Sequence, residues 1–216
     1  MLVVFKLGGS IAFPGKPDAE YIVKFAEKVK GLGCRLAIVV GAGAISRDYV
    51  NELRKHSMNE AFLDEVGIEI ARLNARVVAK FVSGKYVETL EHARETVEEG
   101  LIPVMGGLIP GQSTDAAAAV LAEYLEADQL VVLTDVDGIY DKDPKKHRDA
   151  KIVKKLSFDE LKKICEHLEY RASDYPVFDF VAAKIVSRSR IRTVVCNGRK
   201  LELDRAVHGK AGTVIS

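Results

Sequence analysis

The stretch Leu2-Val3-Val4-Phe5-Lys6-Leu7-Gly8-Gly9-Ser10 decides the reading of the fold. Residues 2–7 are apolar apart from Lys6 and do not alternate, the mark of a strand buried on both faces of a parallel sheet. The run stops at a glycine pair, where the chain can leave the strand sharply. Four further runs behave in the same way: 36–40 before Gly41-Ala42-Gly43, 101–105 before Gly106-Gly107, 130–134 before Asp137-Gly138, and 191–196 before Gly198. Helical patterns fill the gaps. Ile22, Phe25, Ala26 and Val29 recur at helical spacing, and Phe62, Val66, Ile70, Leu73, Val77 and Phe81 trace one stripe. Residues 113–125, 158–167 and 178–189 also favour helix. Strand alternating with helix predicts an α/β fold, a three-layer αβα sandwich around a mostly parallel central sheet. Nothing divides the chain, so one domain over 1–216 is expected, with the basic stretch 142–155 as a loop within it.

Composition narrows the function classes. Lys and Arg number 32 against 31 Asp and Glu, a formal charge of +1, whereas a protein that holds nucleic acid by counterion release is normally far more basic. No nucleic-acid partner is expected. Hydrophobic residues make up 48% with mean hydropathy +0.03, enough for a core. Each apolar run is broken before the roughly 18 residues of a membrane span, so no membrane partner is expected. The start lacks the pattern of a secretory leader, and Cys34, Cys165 and Cys196 are too scattered for a disulfide framework or zinc site. A cytoplasmic protein with reduced thiols is expected.

Open α/β sheets bind ligands beyond the carboxyl ends of their strands, where these glycines lie. Gly8-Gly9-Ser10 and Gly41-Ala42-Gly43 bring backbone N–H groups close to a phosphate chain without Cβ obstruction; each alone is also an ordinary strand exit. Lys6 is the lone charge in an apolar strand and needs an anion or a path to water. No Gly-x-x-x-x-Gly-Lys-Ser/Thr occurs, which excludes a P-loop. A dinucleotide fingerprint at Gly41 lacks its third glycine, and Asp64 falls in a helix rather than at a strand end. Arg47 could grip phosphate and Asp64 sugar hydroxyls, yet both fit solvated helix faces. In Gln112-Ser113-Thr114-Asp115 the hydroxyls suit a helix cap, and Lys184 suits an exposed helical position. Asp135-Val136-Asp137-Gly138 has the form of an aspartyl-nucleophile phosphatase motif, but on the fourth strand rather than the first; it fails as an EF-hand because Ile139 occupies a ligand position. The cations Lys142, Lys145, Lys146, Arg148, Lys151, Lys154 and Lys155 are interleaved with acids and suit a solvated loop.

Together these segments resemble the amino-acid kinase superfamily and, more closely, its archaeal-type UMP kinases, through essentially the whole chain. Phe5-Lys6-Leu7-Gly8-Gly9-Ser10 is similar to the first glycine loop; Val39-Val40-Gly41-Ala42-Gly43 with Arg47 and Tyr49 is similar to the second. The stretches 62–67 and 72–75 resemble the long helix. Residues 102–107, then Pro110-Gly111, then Ser113-Thr114-Asp115-Ala116 resemble the acceptor segment. Thr134-Asp135-Val136-Asp137-Gly138-Ile139-Tyr140 with Asp143-Pro144 resembles the ATP stretch.

The resemblance implies direct transfer of a phosphoryl group from ATP to UMP, with Mg²⁺ carried on the nucleotide and no metal held by the protein. It places Gly9, Ser10, Gly43, Arg47, Thr134, Tyr140 and Asp143 around ATP. Ala42, Asp64 and Leu108-Ile109-Pro110-Gly111-Gln112-Ser113-Thr114 would hold UMP. Lys6 would stabilise the transferring group, with Asp115 or Asp179 orienting the cations and Lys184 standing where many members have a second lysine. The apolar stripe from Phe62 to Phe81, with Gly67 in its middle, predicts packing against its counterpart in a homodimer, and the resemblance implies higher assembly as a homohexamer. Ala42, Leu108 and Gln112 depart from residues common in the family. The alternatives are an isopentenyl phosphate kinase, which typically carries a histidine absent from Ala44-Ile45-Ser46, another kinase of the superfamily, an aspartyl-nucleophile phosphatase, or a storage or regulatory protein on the same fold.

Overall fold

The glycine-terminated runs all form strands, and all run in one direction. The computed structural model describes residues 1–142, 147, 149–166 and 178–216. In chain order the strands are β1 (Leu2–Leu7), β2 (Arg35–Val40), β3 (Lys85–Tyr86), β4 (Pro103–Met105), β5 (Gln129–Thr134), β6 (Lys155–Leu156), β7 (Arg192–Asn197) and β8 (Thr213–Ile215). They join in one sheet of order β3-β4-β2-β1-β5-β7-β8-β6, parallel throughout except where β8 runs against β7. The three strands outside the five apolar runs have two or three residues each, too few to show a pattern.

The helices are α1 (Gly9–Ala12), α2 (Ala19–Lys30), α3 (Gly43–Arg54), α4 (Glu60–Val82), α5 (Leu90–Glu98), α6 (Thr114–Tyr124), α7 (Phe158–Glu166), α8 (Phe180–Arg188) and α9 (Leu203–Val207). Side chains from α1, α2, α4 and α9 form one core layer with Val3, Phe5 and Leu7 of β1. Side chains from α5, α6, α7 and α8 form the other with Leu2 and Val4. The expected three-layer sandwich is therefore present. Alternation along β1 puts Lys6 on the same side as Leu2 and Val4, facing α6 and α8.

Helix α4 presents two apolar faces. Its core face is Leu63, Ala71, Ala75, Val78 and Val82, whereas Phe62 and Leu73 of the apolar stripe stand outside, 42% and 60% exposed. Small residues let α4 lie close to the sheet and leave the bulkier stripe on its flank and outer side. The closeness is measurable: a Cβ on Gly106 would sit 2.5 Å from the Arg72 amide nitrogen.

Register aligns the strand exits. Leu7 pairs with Val40 and with Leu133, Val39 with Met105, and Thr134 with Asn197. All five glycine exits thus share one edge. The chain steps from β1 to β2 on one side and reaches β5 on the other, so β1 is the switch point where a ligand crevice opens.

Replacing Gly106 with alanine forces backbone apart and is expected to cost about 1–3 kcal/mol, the scale of an overpacked core. Gly31, which ends α2 at φ −83° with nothing nearer to its added Cβ than 3.5 Å, is expected to accept alanine neutrally or with a gain of up to about 1 kcal/mol. Urea unfolding of the two variants checks the order; Gly106→Ala as stable as Gly31→Ala would contradict the close packing.

Candidate active site

At the end of β1 the ammonium of Lys6 meets the carboxylate of Asp115, in the first turn of α6. Nζ lies 3.0 Å from Oδ1 and donates to Oδ2 at 3.2 Å. Both residues are buried, Lys6 9% and Asp115 4% exposed. The short Oδ1 contact lies off the hydrogen-bond direction, and that buried oxygen has no hydrogen-bond partner. Alanines 116–119, all fully buried, bring α6 down onto the sheet so that Asp115 reaches Lys6. The lysine's anion is thus supplied from within the chain.

Behind this pair two helix starts are tied by one hydroxyl. Ser113 caps α6, its Oγ accepting from the amides of Asp115 and Ala116 at 3.1 Å each, and the same Oγ donates to Asp179 Oδ2. Asp179 in turn caps α8, Oδ1 accepting from Val181 N at 2.6 Å. Asp115 and Asp179 are therefore joined through the Ser113 hydroxyl and the start of α6. Lys184 is exposed one turn further along α8, with Nζ 4.3 Å from the Phe180 ring centroid.

The two glycine loops touch backbone to backbone. A Cβ on Gly9 would lie 2.2 Å from Gly43 N, and one on Gly41 would lie 2.7 Å from Gly9 N. Gly43 opens α3 at φ +81°, a conformation glycine adopts without strain. The starts of α1 and α3 therefore converge, and the first N–H groups of a helix have no partner within it; at α3 the Ala44 amide donates to Phe13 O at 3.1 Å, and converging helix starts of this kind can receive an anion. Asn74 of α4 fixes the second loop by donating to the carbonyls of Gly41 at 3.0 Å and Ala42 at 2.9 Å. Ser10 lies on α1, where its carbonyl accepts from Arg199 at 3.1 Å. Arg47 is exposed on α3 and forms no ion pair among the described residues.

The candidate acceptor segment turns over the start of α6. Gln112 N donates to Ile109 O at 3.3 Å, and Asp64 Oδ2 accepts from Gly111 N at 2.8 Å. Sequence-distant Asp64 is thereby joined to the 108–114 segment. Pro110 and Gly111 are exposed, Leu108 and Thr114 half-buried, and Ile109 is 55% exposed. The buried Gln112 Oε1 has no hydrogen-bond partner.

On the other side of β1, Thr134 ends β5 and donates to the exposed Asp135 at 3.3 Å. Tyr140 is half-buried and lines a cleft of about 710 Å³ with Asp137, Asn197 and Lys200. The Lys200 ammonium first, and then the Asn197 amide, hold the Asp137 carboxyl below the ordinary carboxylate range. Asp143, Pro144, Lys145, Lys146 and Arg148 lie outside the described residues. Burial pushes the thiols of Cys165 and Cys196 up to about 12, so neither is a nucleophile.

Sequence reading missed Asn74, Asn197 and Lys200. A polar residue within a helical stripe signals Asn74 only weakly. The run Asn197-Gly198-Arg199-Lys200 is the last of the five glycine exits and carries two cations, a usable signal after a strand.

Removing one partner of the Lys6–Asp115 pair strands a buried charge, so Lys6→Met or Asp115→Leu alone should cost about 3–5 kcal/mol. The double variant should recover most of that loss, because apolar replacement of a buried pair is often neutral. Denaturant unfolding of the three variants measures it; additive losses would show that the pair is not coupled.

Comparison with known proteins places these features in a lineage. The model of the amino acid kinase family matches residues 1–197. The uridylate kinase of Thermococcus kodakarensis is 39% identical, over 100% of this chain and 99% of its own length. That of Methanocaldococcus jannaschii is 40% identical over the same shares. The crystal structure of the uridylate kinase from Archaeoglobus fulgidus superposes with a TM-score of 0.89 at 36% identity, covering 100% of both chains. A UMP kinase structure from Bacillus anthracis, 19% identical with a TM-score of 0.83 over 100% of this chain and 95% of its own, shares the fold. With a family model matched over nearly the whole length and full-length relatives near 40% identity, the chain belongs to the amino acid kinase family.

Proposed function

We propose that the protein phosphorylates UMP to UDP with MgATP as donor, in pyrimidine nucleotide synthesis. The observation that carries this reading is a buried lysine, fixed by Asp115 at the switch point, between a glycine cradle and a nucleotide-like acceptor segment. Archaeal uridylate kinases as full-length relatives support it.

Chemically, an oxygen of the UMP phosphate attacks the γ-phosphorus of ATP. The new P–O bond forms as the bond to the β,γ-bridging oxygen breaks, and ADP leaves. The acceptor is already an oxyanion, so no strong base is needed. Catalysis then rests on positioning and on positive charge that meets the equatorial oxygens. Lys6 supplies that charge, and its ion pair fixes where the ammonium stands. The amides at the starts of α1 and α3, with Arg47, receive donor phosphates. Thr134, Tyr140 and Asp143 attend the rest of the donor. Asp64 and the 108–114 segment receive UMP, and Asp179, through Ser113, holds the two helix starts in register. Lys184 is assigned a supporting charge at the same edge.

The bulky flank of α4 supports self-association: Phe62 and Leu73 of α4 and Tyr49 of α3 are each more than 40% exposed. A homodimer through these helices is proposed, with assembly to a hexamer. The single eight-stranded sheet supports one domain over 1–216, and a cytoplasmic location is part of the same reading. No helix among the described residues is long and apolar enough to cross a membrane.

A screen of ATP-dependent phosphorylation over nucleoside monophosphates, isopentenyl phosphate and acyl-amino acids should give UMP as the best acceptor. Turnover of isopentenyl phosphate with none of UMP would overturn the proposal. Lys6→Ala should lower kcat by roughly 10² to 10³, the scale of one lost transition-state donor. Asp135→Asn should keep activity within about tenfold, since Asp135 has no covalent role; a trapped phosphoprotein in the wild type would favour a phosphatase.

A further inference from the structure

The cleft lined by Tyr140 carries more positive charge than the protein as a whole. Lys154, Lys155, Lys200 and Lys210 line it, and its other cation, Arg205, is already paired with Glu202 at 2.6 Å. Asp137 is the lone carboxylate left to serve four ammonium groups, in a chain whose net charge is only +1. Lys154, Lys155 and Lys210 form no ion pair among the described residues. Lys200 does: Nζ lies 2.8 Å from Asp137 Oδ1, with the two side chains 54% and 44% exposed. A pair this open to water is weak, so a polyanion can draw the lysine away.

Asp137 does not depend on Lys200 for its place. The same Oδ1 accepts from Asn197 Nδ2 at 2.9 Å, and Asn197 Oδ1 accepts from Arg199 N at 3.0 Å. Arg199 reaches across to Ser10 O at 3.1 Å. The exits of β5, β7 and β1 are thus stitched together around Asp137, and Lys200 is the member free to change partner.

We propose that Lys200 is a ligand for the phosphates of the donor nucleoside triphosphate, and that Asp137 is a positioning residue that keeps its ammonium at the cleft mouth until the donor arrives. This rests on the kinase reading for the identity of the donor but not for the binding of phosphate. No bond is made or broken in the exchange: an ammonium passes from a carboxylate to a phosphate oxygen.

The test combines steady-state kinetics with calorimetric titration of inorganic tripolyphosphate, on wild type, Lys200→Ala and Lys200→Arg. Lys200→Ala should raise the KM for ATP at least about tenfold, the scale of one charge-assisted hydrogen bond, while the KM for UMP stays within about twofold. Lys200→Arg should keep most of the ATP affinity, and tripolyphosphate should bind the wild type and bind Lys200→Ala at least about tenfold more weakly. That weakening supports the assignment even if UMP proves not to be the acceptor, and equal tripolyphosphate affinity in the two proteins overturns it. Normal turnover of UMP with an unchanged KM for ATP in Lys200→Ala, or equal rises in both KM values, overturns it and leaves the proposed function standing.

Discussion

The structure turns on one buried ion pair. A lysine in the central strand of a parallel sheet is unfavourable unless an anion meets it, and Asp115 does so from the start of α6. Several local choices follow from that requirement. The alanine run of α6 brings the helix close enough, Ser113 caps it, and Asp179 ties the cap to α8. The ammonium is held at the point where the chain crosses from one half of the sheet to the other. An ammonium held in this way suits the role proposed for it, a charge that must stand at a fixed place in a phosphate site.

The second constraint is the backbone contact between the two glycine loops. Gly9 and Gly43 approach so closely that neither tolerates a side chain, which brings two helix starts together beside Lys6. Polar fixtures then lock each loop from outside: Asn74 on the second, Arg199 on the first. Rigid donors and a rigid cation suit a reaction whose transition state must be surrounded by charge rather than attacked by a side chain.

Much of this was legible in the sequence because the strong signals are physical necessities. Runs buried on both faces must be continuously apolar, and chains leaving them sharply at a ligand edge favour glycine, so the five strands of the apolar runs and their shared edge could be read. Lys6 stood out as the charge that breaks its run. The short strands β3, β6 and β8 are held by neighbours rather than by any pattern of their own. The stripe on α4 marked the helix but not its core face, because apolar periodicity does not say which apolar face meets the core; small residues took that face. Asp64 could be named but not its partner, since its bond to the Gly111 amide joins residues far apart in sequence. Asn197 and Lys200 were missed because two cations after one strand look like surface until the exit of β5 is brought beside them.

The central claim is that charge and position, with no covalent intermediate on the protein, move the phosphoryl group. The stereochemical course at the γ-phosphorus measures this directly, using ATP made chiral there with oxygen isotopes and UMP as acceptor. A single in-line displacement predicts inversion of configuration in the UDP formed. Retention would require two displacements, hence a phosphorylated side chain such as Asp135, and would contradict the account.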